Sequence, residues 1–104
     1  MELTELTAEV FRRHLGETFR VLDGEALELE LAAVESARTS AGDECFSICF
    51  KGPRGSCLPQ KTYRIAHAAL GEFALFLVPI GPDREGFHRY EAVFNRRRGP
   101  GAAP

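Results

Sequence analysis

The sequence predicts a mainly β fold, with about six antiparallel strands in a small barrel or two-sheet sandwich and one short N-terminal helix. Three observations carry this expectation. Apolar and polar residues alternate with period two over most of the chain after Glu17. Turn-forming stretches separate the alternating segments, beginning with Asp23-Gly24. No connection is long enough for a parallel crossover, so neighbouring strands should run antiparallel.

The helix comes first. Thr7 is placed to cap it, and Glu9 sits near the positive end of its dipole. Val10, Phe11 and Leu15 share one face, opposite Arg12, Arg13 and His14. Gly16 is a natural stop. At about two turns the helix needs a surface to dock on.

The strands follow in order. Phe19 and Val21 alternate with Thr18 and Arg20, and Asp23-Gly24 turns the chain. Leu27, Leu29 and Leu31 alternate with Glu28 and Glu30. That pattern favours a half-buried strand over the helix that the local propensities prefer. Ala32-Ala33-Val34 breaks the alternation, as a bulge would. Ser36 to Glu44 reads as a loop. Phe46, Ile48 and Phe50 then alternate with Cys45, Ser47 and Cys49. Gly52-Pro53-Arg54-Gly55-Ser56 reads as a second loop, and Pro59 delays the next strand to Lys61.

Tyr63 and Ile65 open that strand, and Ala68-Ala69 turns it. Phe73 to Val78 is apolar on both faces, which predicts a central strand ended by Pro79, Gly81 and Pro82. Asp83 to Gly86 form a turn. Tyr90, Ala92 and Phe94 line one face of the last strand, with Val93 on the other. Residues 1–95 therefore read as one β-rich domain. Residues 96–104, opening with Arg96-Arg97-Arg98, read as a flexible tail.

The bulk properties narrow the function classes. With 104 residues there is room for one domain. Hydrophobic residues at 44% and charged residues at 27% fit a globular chain. A net charge of −2 and a pI near 5.9 give no overall pull toward nucleic acid or acidic membranes. No apolar run approaches the ~20 residues of a membrane helix. The opening MELTELTAEV lacks the pattern of a signal peptide. The expected location is cytoplasmic, with release as part of a particle as the alternative.

Charge is uneven along the chain. Residues 1–52 hold 11 acidic and 5 basic residues; residues 53–104 hold 4 and 8. A dipolar surface that docks a partner is one consequence. The plainer one is that strands from both halves mix and the asymmetry cancels.

No catalytic motif stands out. Cys45, Cys49 and Cys57 form no C-x-x-C pair. Cys45 and Cys49 lie about 13 Å apart on one strand face at ~3.3 Å per residue, too far for a disulfide. An odd cysteine count without a secretory signal fits a reducing compartment. His14, His67 and His88 are scattered, so only the fold could assemble them into a metal site. Cys57 with His67 is a conceivable nucleophilic pair that no spacing favours. Glu28 and Glu30 sit about 7 Å apart by strand rise, close enough for paired carboxylate chemistry. They read more simply as a solvated strand face. The Gly52-Pro53-Arg54-Gly55 stretch lacks the Lys and following helix of a phosphate loop. No cofactor is expected.

Several segments together resemble a family of small bacterial β-rich proteins of unknown function. They are Gly16-Glu17-Thr18-Phe19, Phe50-Lys51-Gly52-Pro53, Leu58-Pro59-Gln60-Lys61-Thr62-Tyr63, Leu70-Gly71, Leu77-Val78-Pro79-Ile80-Gly81 and Tyr90-Glu91-Ala92-Val93-Phe94-Asn95. The resemblance covers roughly residues 7–95. The family is associated with neighbouring phage-tail collar-type fibre proteins. That implies an accessory or structural role in a tail-like or extracellular fibre assembly, and it implies no catalytic residues.

Two function classes follow. The first is a non-enzymatic structural or assembly protein that self-associates or binds a protein partner, with a tail-collar-type fibre protein as the partner the resemblance implies. The second is a small-molecule or glycan-binding module. Its candidate pocket or interface is a barrel mouth lined by Tyr63, Phe87 and Tyr90, with Arg64 and Arg89 beside them. An enzyme using Cys57 or the glutamates is a third and weaker reading. Neither membrane nor nucleic acid is an expected partner, since Arg96-Arg97-Arg98 lacks an aromatic platform.

Overall fold

The computed structural model describes residues 6–24, 26–38 and 44–96. Thr7 caps helix α1 (Ala8–Arg12), its hydroxyl accepting the Val10 N–H at 3.2 Å. Six strands follow: β1 (Thr18–Val21), β2 (Glu28–Arg38), β3 (Glu44–Arg54), β4 (Lys61–His67), β5 (Gly71–Pro82) and β6 (Phe87–Arg96). They close a barrel in the order β1-β2-β3-β6-β5-β4, with every pair antiparallel. Between barrel and sandwich, the structure is a barrel. The β1–β4 pairing of Arg20 with Ala66 and Val21 with Ile65 completes the circle. Closure gives every strand two neighbours, although β2 beyond Leu31 and β6 beyond Glu91 pair with β3 alone.

The alternation read from the sequence sets which side chains enter the barrel. Phe19, Val21, Leu29, Leu31, Phe46, Ile48, Phe50, Ile65, Leu77 and Tyr90 are all almost wholly buried. The expected irregularity after Leu31 is present as a register shift between Leu31 and Ala33.

Several expectations about the strands need correction. Ser36 to Arg38 are not loop: they continue β2, pairing with Phe46, Cys45 and Glu44 on β3. Residues 39–43 lie outside the described residues. Gly52 and Pro53 do not end β3; they form a bulge, and pairing with β6 resumes at Arg54↔Phe87. Phe73 to Val78 is not a central strand, because a closed barrel has no centre. Phe73, Leu75 and Leu77 point inward, whereas Ala74 and Phe76 face out. The strand also runs on through Pro82, the prolines being accommodated where the β5–β6 register shifts.

The helix is shorter than expected, and its apolar face differs. Leu15 is 45% exposed, while Leu6, Ala8 and Phe11 are buried. Phe11 plugs one barrel end. Its ring lies 5.6 Å from Phe94, 6.1 Å from Phe46 and 6.3 Å from both Phe19 and Phe73. Phe46 and Phe94 stack beneath it at 4.5 Å. The opposite end is closed by Leu58, in the connection from β3 to β4. β6 extends through Arg96, and residues 97–104 of the expected tail lie outside the described residues.

Removing the plug should be costly, because four aromatic neighbours on different strands cannot all collapse into the space. Phe11→Ala is expected to lower unfolding free energy by about 3–5 kcal/mol in a urea titration, with the slope of the transition unchanged.

Candidate functional site

The helix end carries a polar cluster directly outside the aromatic plug. Gly16, in the left-handed region at φ +85°, turns the chain from α1 into β1, and its N–H bonds Leu31 O at 2.8 Å. That turn sets Glu17 between two histidines. Glu17 Oε1 accepts from His14 Nδ1 at 2.9 Å and from His67 Nε2 at 2.8 Å. His67 is buried at 6% exposure, and its ring lies 4.4 Å from Phe19. The two hydrogen bonds from His14 and His67 hold the Glu17 carboxyl below its usual range, outweighing partial desolvation.

The three ligand atoms lie within 4.8 Å of one another, a spacing that invites a metal ion. The donor chemistry opposes one. His67 Nδ1 accepts the N–H groups of Ala69 at 3.1 Å and Leu70 at 3.2 Å, so the ring proton resides on Nε2. A metal on Nε2 would move that proton to Nδ1, against two backbone donors. Metal-bound histidines do the reverse, donating the second ring N–H to an acceptor. The cluster is a hydrogen-bonded clasp that ties the turn after α1 to the ends of β1 and β4.

The opposite end is built around two tyrosine hydroxyls. Tyr90 Oη accepts the Leu58 N–H at 2.9 Å, and Tyr63 Oη donates to the Pro59 carbonyl. Burial pushes both phenols up, so each remains a neutral hydroxyl. Gly52 is shaped to this arrangement: a Cβ there would lie 2.9 Å from the Tyr90 ring and 3.0 Å from Leu29 Cδ2.

The five residues of the candidate pocket fall into three places. Tyr63 and Tyr90 come together beneath the β3–β4 connection, with rings buried and hydroxyls engaged. Phe87 and Arg89 lie near the β5–β6 turn, where Asp83 Oδ2 accepts from Arg89 Nε at 3.1 Å. Arg64 lies on the wall, bonded to Asp23 through its N–H at 2.8 Å and its Nε at 3.2 Å. Leu58 fills the mouth between them.

The other chemical candidates are kept apart. Cys57 sits beside Leu58, while His67 ends β4 at the clasp, so about 20 Å of strand separates them at ~3.3 Å per residue. Glu28 and Glu30 are exposed on the outer wall, with Glu28 3.7 Å from Arg20. All three cysteines are free, and burial pushes the Cys49 thiol up, away from a reactive thiolate. Sequence reasoning did not pair His14 with His67, because 53 residues separate them and no local motif joins them. It also weighed Arg54 only within the Gly52–Gly55 stretch and did not join it with Lys51, although both lie against the Phe87 ring.

Fold and site together define a closed six-stranded antiparallel barrel module, plugged by a helix at one end and by a tyrosine-held loop at the other. The chain belongs to the family described as a domain of unknown function, DUF6916, whose family model matches residues 6–94. That span starts and ends on the buried side chains Leu6 and Phe94. Searches of curated proteins and of solved structures returned no match.

Two outcomes test the two ends. Tyr90→Phe leaves the buried Leu58 N–H without its acceptor and should cost about 1–3 kcal/mol in chemical denaturation. Glu17, Asp23 and Asp83 all titrate below their ordinary values. For Glu17 the hydrogen bonds from His14 lead, and for Asp23 the Arg64 backbone N–H. At Asp83, burial opposes the shift, but N–H groups of Glu85 and Phe87 and the Arg89 side chain together prevail. A carboxyl depressed by folding stabilises above its unfolded value and loses that contribution as pH falls through its folded value. Stability should therefore hold down to about pH 4.5, the ordinary glutamate value, and fall below it. Glu17→Gln should be less stable at pH 7, and the deficit should shrink in denaturation curves recorded below pH 4.5.

Proposed function

We propose that this protein is a non-catalytic assembly module that associates with protein through the outer wall of β5 and β6. The observation that carries this reading is an apolar patch on two neighbouring strands. Phe76 is 50% exposed, Ile80 52% and Val93 54%. The β5–β6 ladder ends at Val78↔Glu91, and Phe76 and Val93 each lie two residues past that end, on the same side of it. Large apolar side chains scattered singly need no explanation, but a contiguous group marks an interaction surface.

A second support is the employment of the reactive residue types. His67, Tyr63 and Tyr90 hold the barrel ends, and Cys57 lies at the opposite end from the His14–Glu17–His67 clasp. The ligand-binding alternative requires an open mouth, and Leu58 occupies that position. The family resemblance implies the setting: an accessory of a tail-like or extracellular fibre assembly, with a collar-type fibre protein as partner.

Light scattering on a sizing column tests the reading. The expected outcome is an oligomer that persists from low to high salt, as an apolar interface would. The double variant Phe76→Ser with Val93→Ser should return it to monomer with an unchanged circular dichroism spectrum. A wild-type chain that stays monomeric at every concentration would remove self-association, and a pull-down with the fibre protein would then decide the partnered form.

A further inference from the structure

Lys51, Arg54 and Phe87 meet near the tyrosine end of the barrel, on its outside. In a regular strand, residues three apart point to opposite faces. The bulge in β3 changes this. Lys51 pairs with Arg89 and Arg54 with Phe87, so three steps on β3 match two on β6. Both cations therefore reach one ring. Lys51 Nζ lies 4.2 Å and Arg54 Cζ 4.5 Å from the Phe87 centroid. Gly86 leaves room for the Arg54 stem, whose Cγ, Cδ and Nε pass 3.8–3.9 Å from the point where a side chain would begin.

Among the described residues neither Lys51 nor Arg54 takes part in an ion pair, whereas Arg13, Arg20, Arg64 and Arg89 each do. The nearby carboxylate of Asp83 is committed to Arg89 and to the N–H groups of Glu85 and Phe87. Contact with an aromatic face positions a cation without cancelling its charge. It leaves the guanidinium N–H groups of Arg54 free to receive a carboxylate. Holding the side chains in place also lowers the entropy lost on binding.

The surroundings narrow the ligand. A groove of about 270 Å³ runs beside the cluster, lined by Thr18, Glu28, Glu30, Lys51, Pro53 and Phe87. Glu30 stands level with Lys51 across the β2–β3 ladder. A phosphate chain tracking this groove would meet both glutamates, whereas a discrete acidic side chain need only reach Lys51 and Arg54. We propose that Lys51 and Arg54, held on Phe87, form a docking point for acidic side chains of a protein partner, with Glu28 and Glu30 turning away nucleic acid. This goes beyond association through the β5–β6 wall and does not require it.

An NMR titration of the ¹⁵N-labelled full chain tests it. The probes are a glycine-rich peptide carrying two adjacent glutamates, its glutamine counterpart, and a short single-stranded oligothymidylate. The glutamate peptide should give saturable shifts around Lys51, Arg54 and Phe87 that weaken with salt. The Lys51→Ala, Arg54→Ala double variant should lose about tenfold in affinity with the rest of its spectrum unchanged. The Phe76→Ser, Val93→Ser variant should bind the peptide as wild type does, so failure of either reading is visible separately. No saturable shift, equal binding of the glutamine peptide, an unaffected double variant, or tighter binding of the oligothymidylate would overturn the proposal.

Discussion

A closed barrel has walls but no ends, and the remainder of this structure answers that constraint. Six short strands can hide their inward side chains from one another but not from water at the two openings. Phe11 closes one opening against aromatic rings from β1, β3, β5 and β6. Leu58 closes the other, its backbone held by Tyr90. The two closures differ in kind. The first is packing, supplied by a helix too short to be stable alone. The second is a hydrogen bond in a buried setting, where an unmet N–H is expensive.

Each closure draws polar residues into structural work. The helix could swing away from the barrel were its following turn not fixed, and Glu17 fixes it by bonding His14 on one side and His67 on the other. The Ala69 and Leu70 N–H groups orient the His67 ring, which couples the β4–β5 turn to the same clasp. Asp23 and Asp83 do comparable work at the other end: Asp23 accepts the backbone N–H and Nε of Arg64, and Asp83 the N–H groups of Glu85 and Phe87 and the Arg89 side chain. In a domain of this size a few such contacts are a large fraction of net stability.

In the proposed reading, with interior and ends so occupied, contact with other molecules falls to the outer wall. Two features stand there. One is the apolar group of Phe76, Ile80 and Val93. The other is the pair of cations, Lys51 and Arg54, held against Phe87. Apolar area supplies affinity, and placed charge supplies selectivity and orientation.

The sequence by itself determined which residues face inward. Period-two alternation in Phe19-Val21, Leu29-Leu31, Phe46-Phe50 and Tyr90-Phe94 is imposed by strand geometry, so local pattern suffices to read it. The cap at Thr7, the bulge after Leu31 and the turn at Asp83 were equally local. Tertiary structure decided the rest. Whether Phe73 to Val78 had one wet face depended on barrel closure, which no local window contains. The extension of β2 to Arg38 depended on β3 offering partners to residues with no strand pattern. The His14–Glu17–His67 clasp needed the end of β4 brought beside the start of β1, 50 residues away for Glu17 and His67. The Lys51–Arg54–Phe87 cluster needed a single bulge to turn two opposite-facing side chains to one side. Periodicity is a property of neighbours along the chain; juxtaposition is a property of closure and register, and only the folded barrel fixes those.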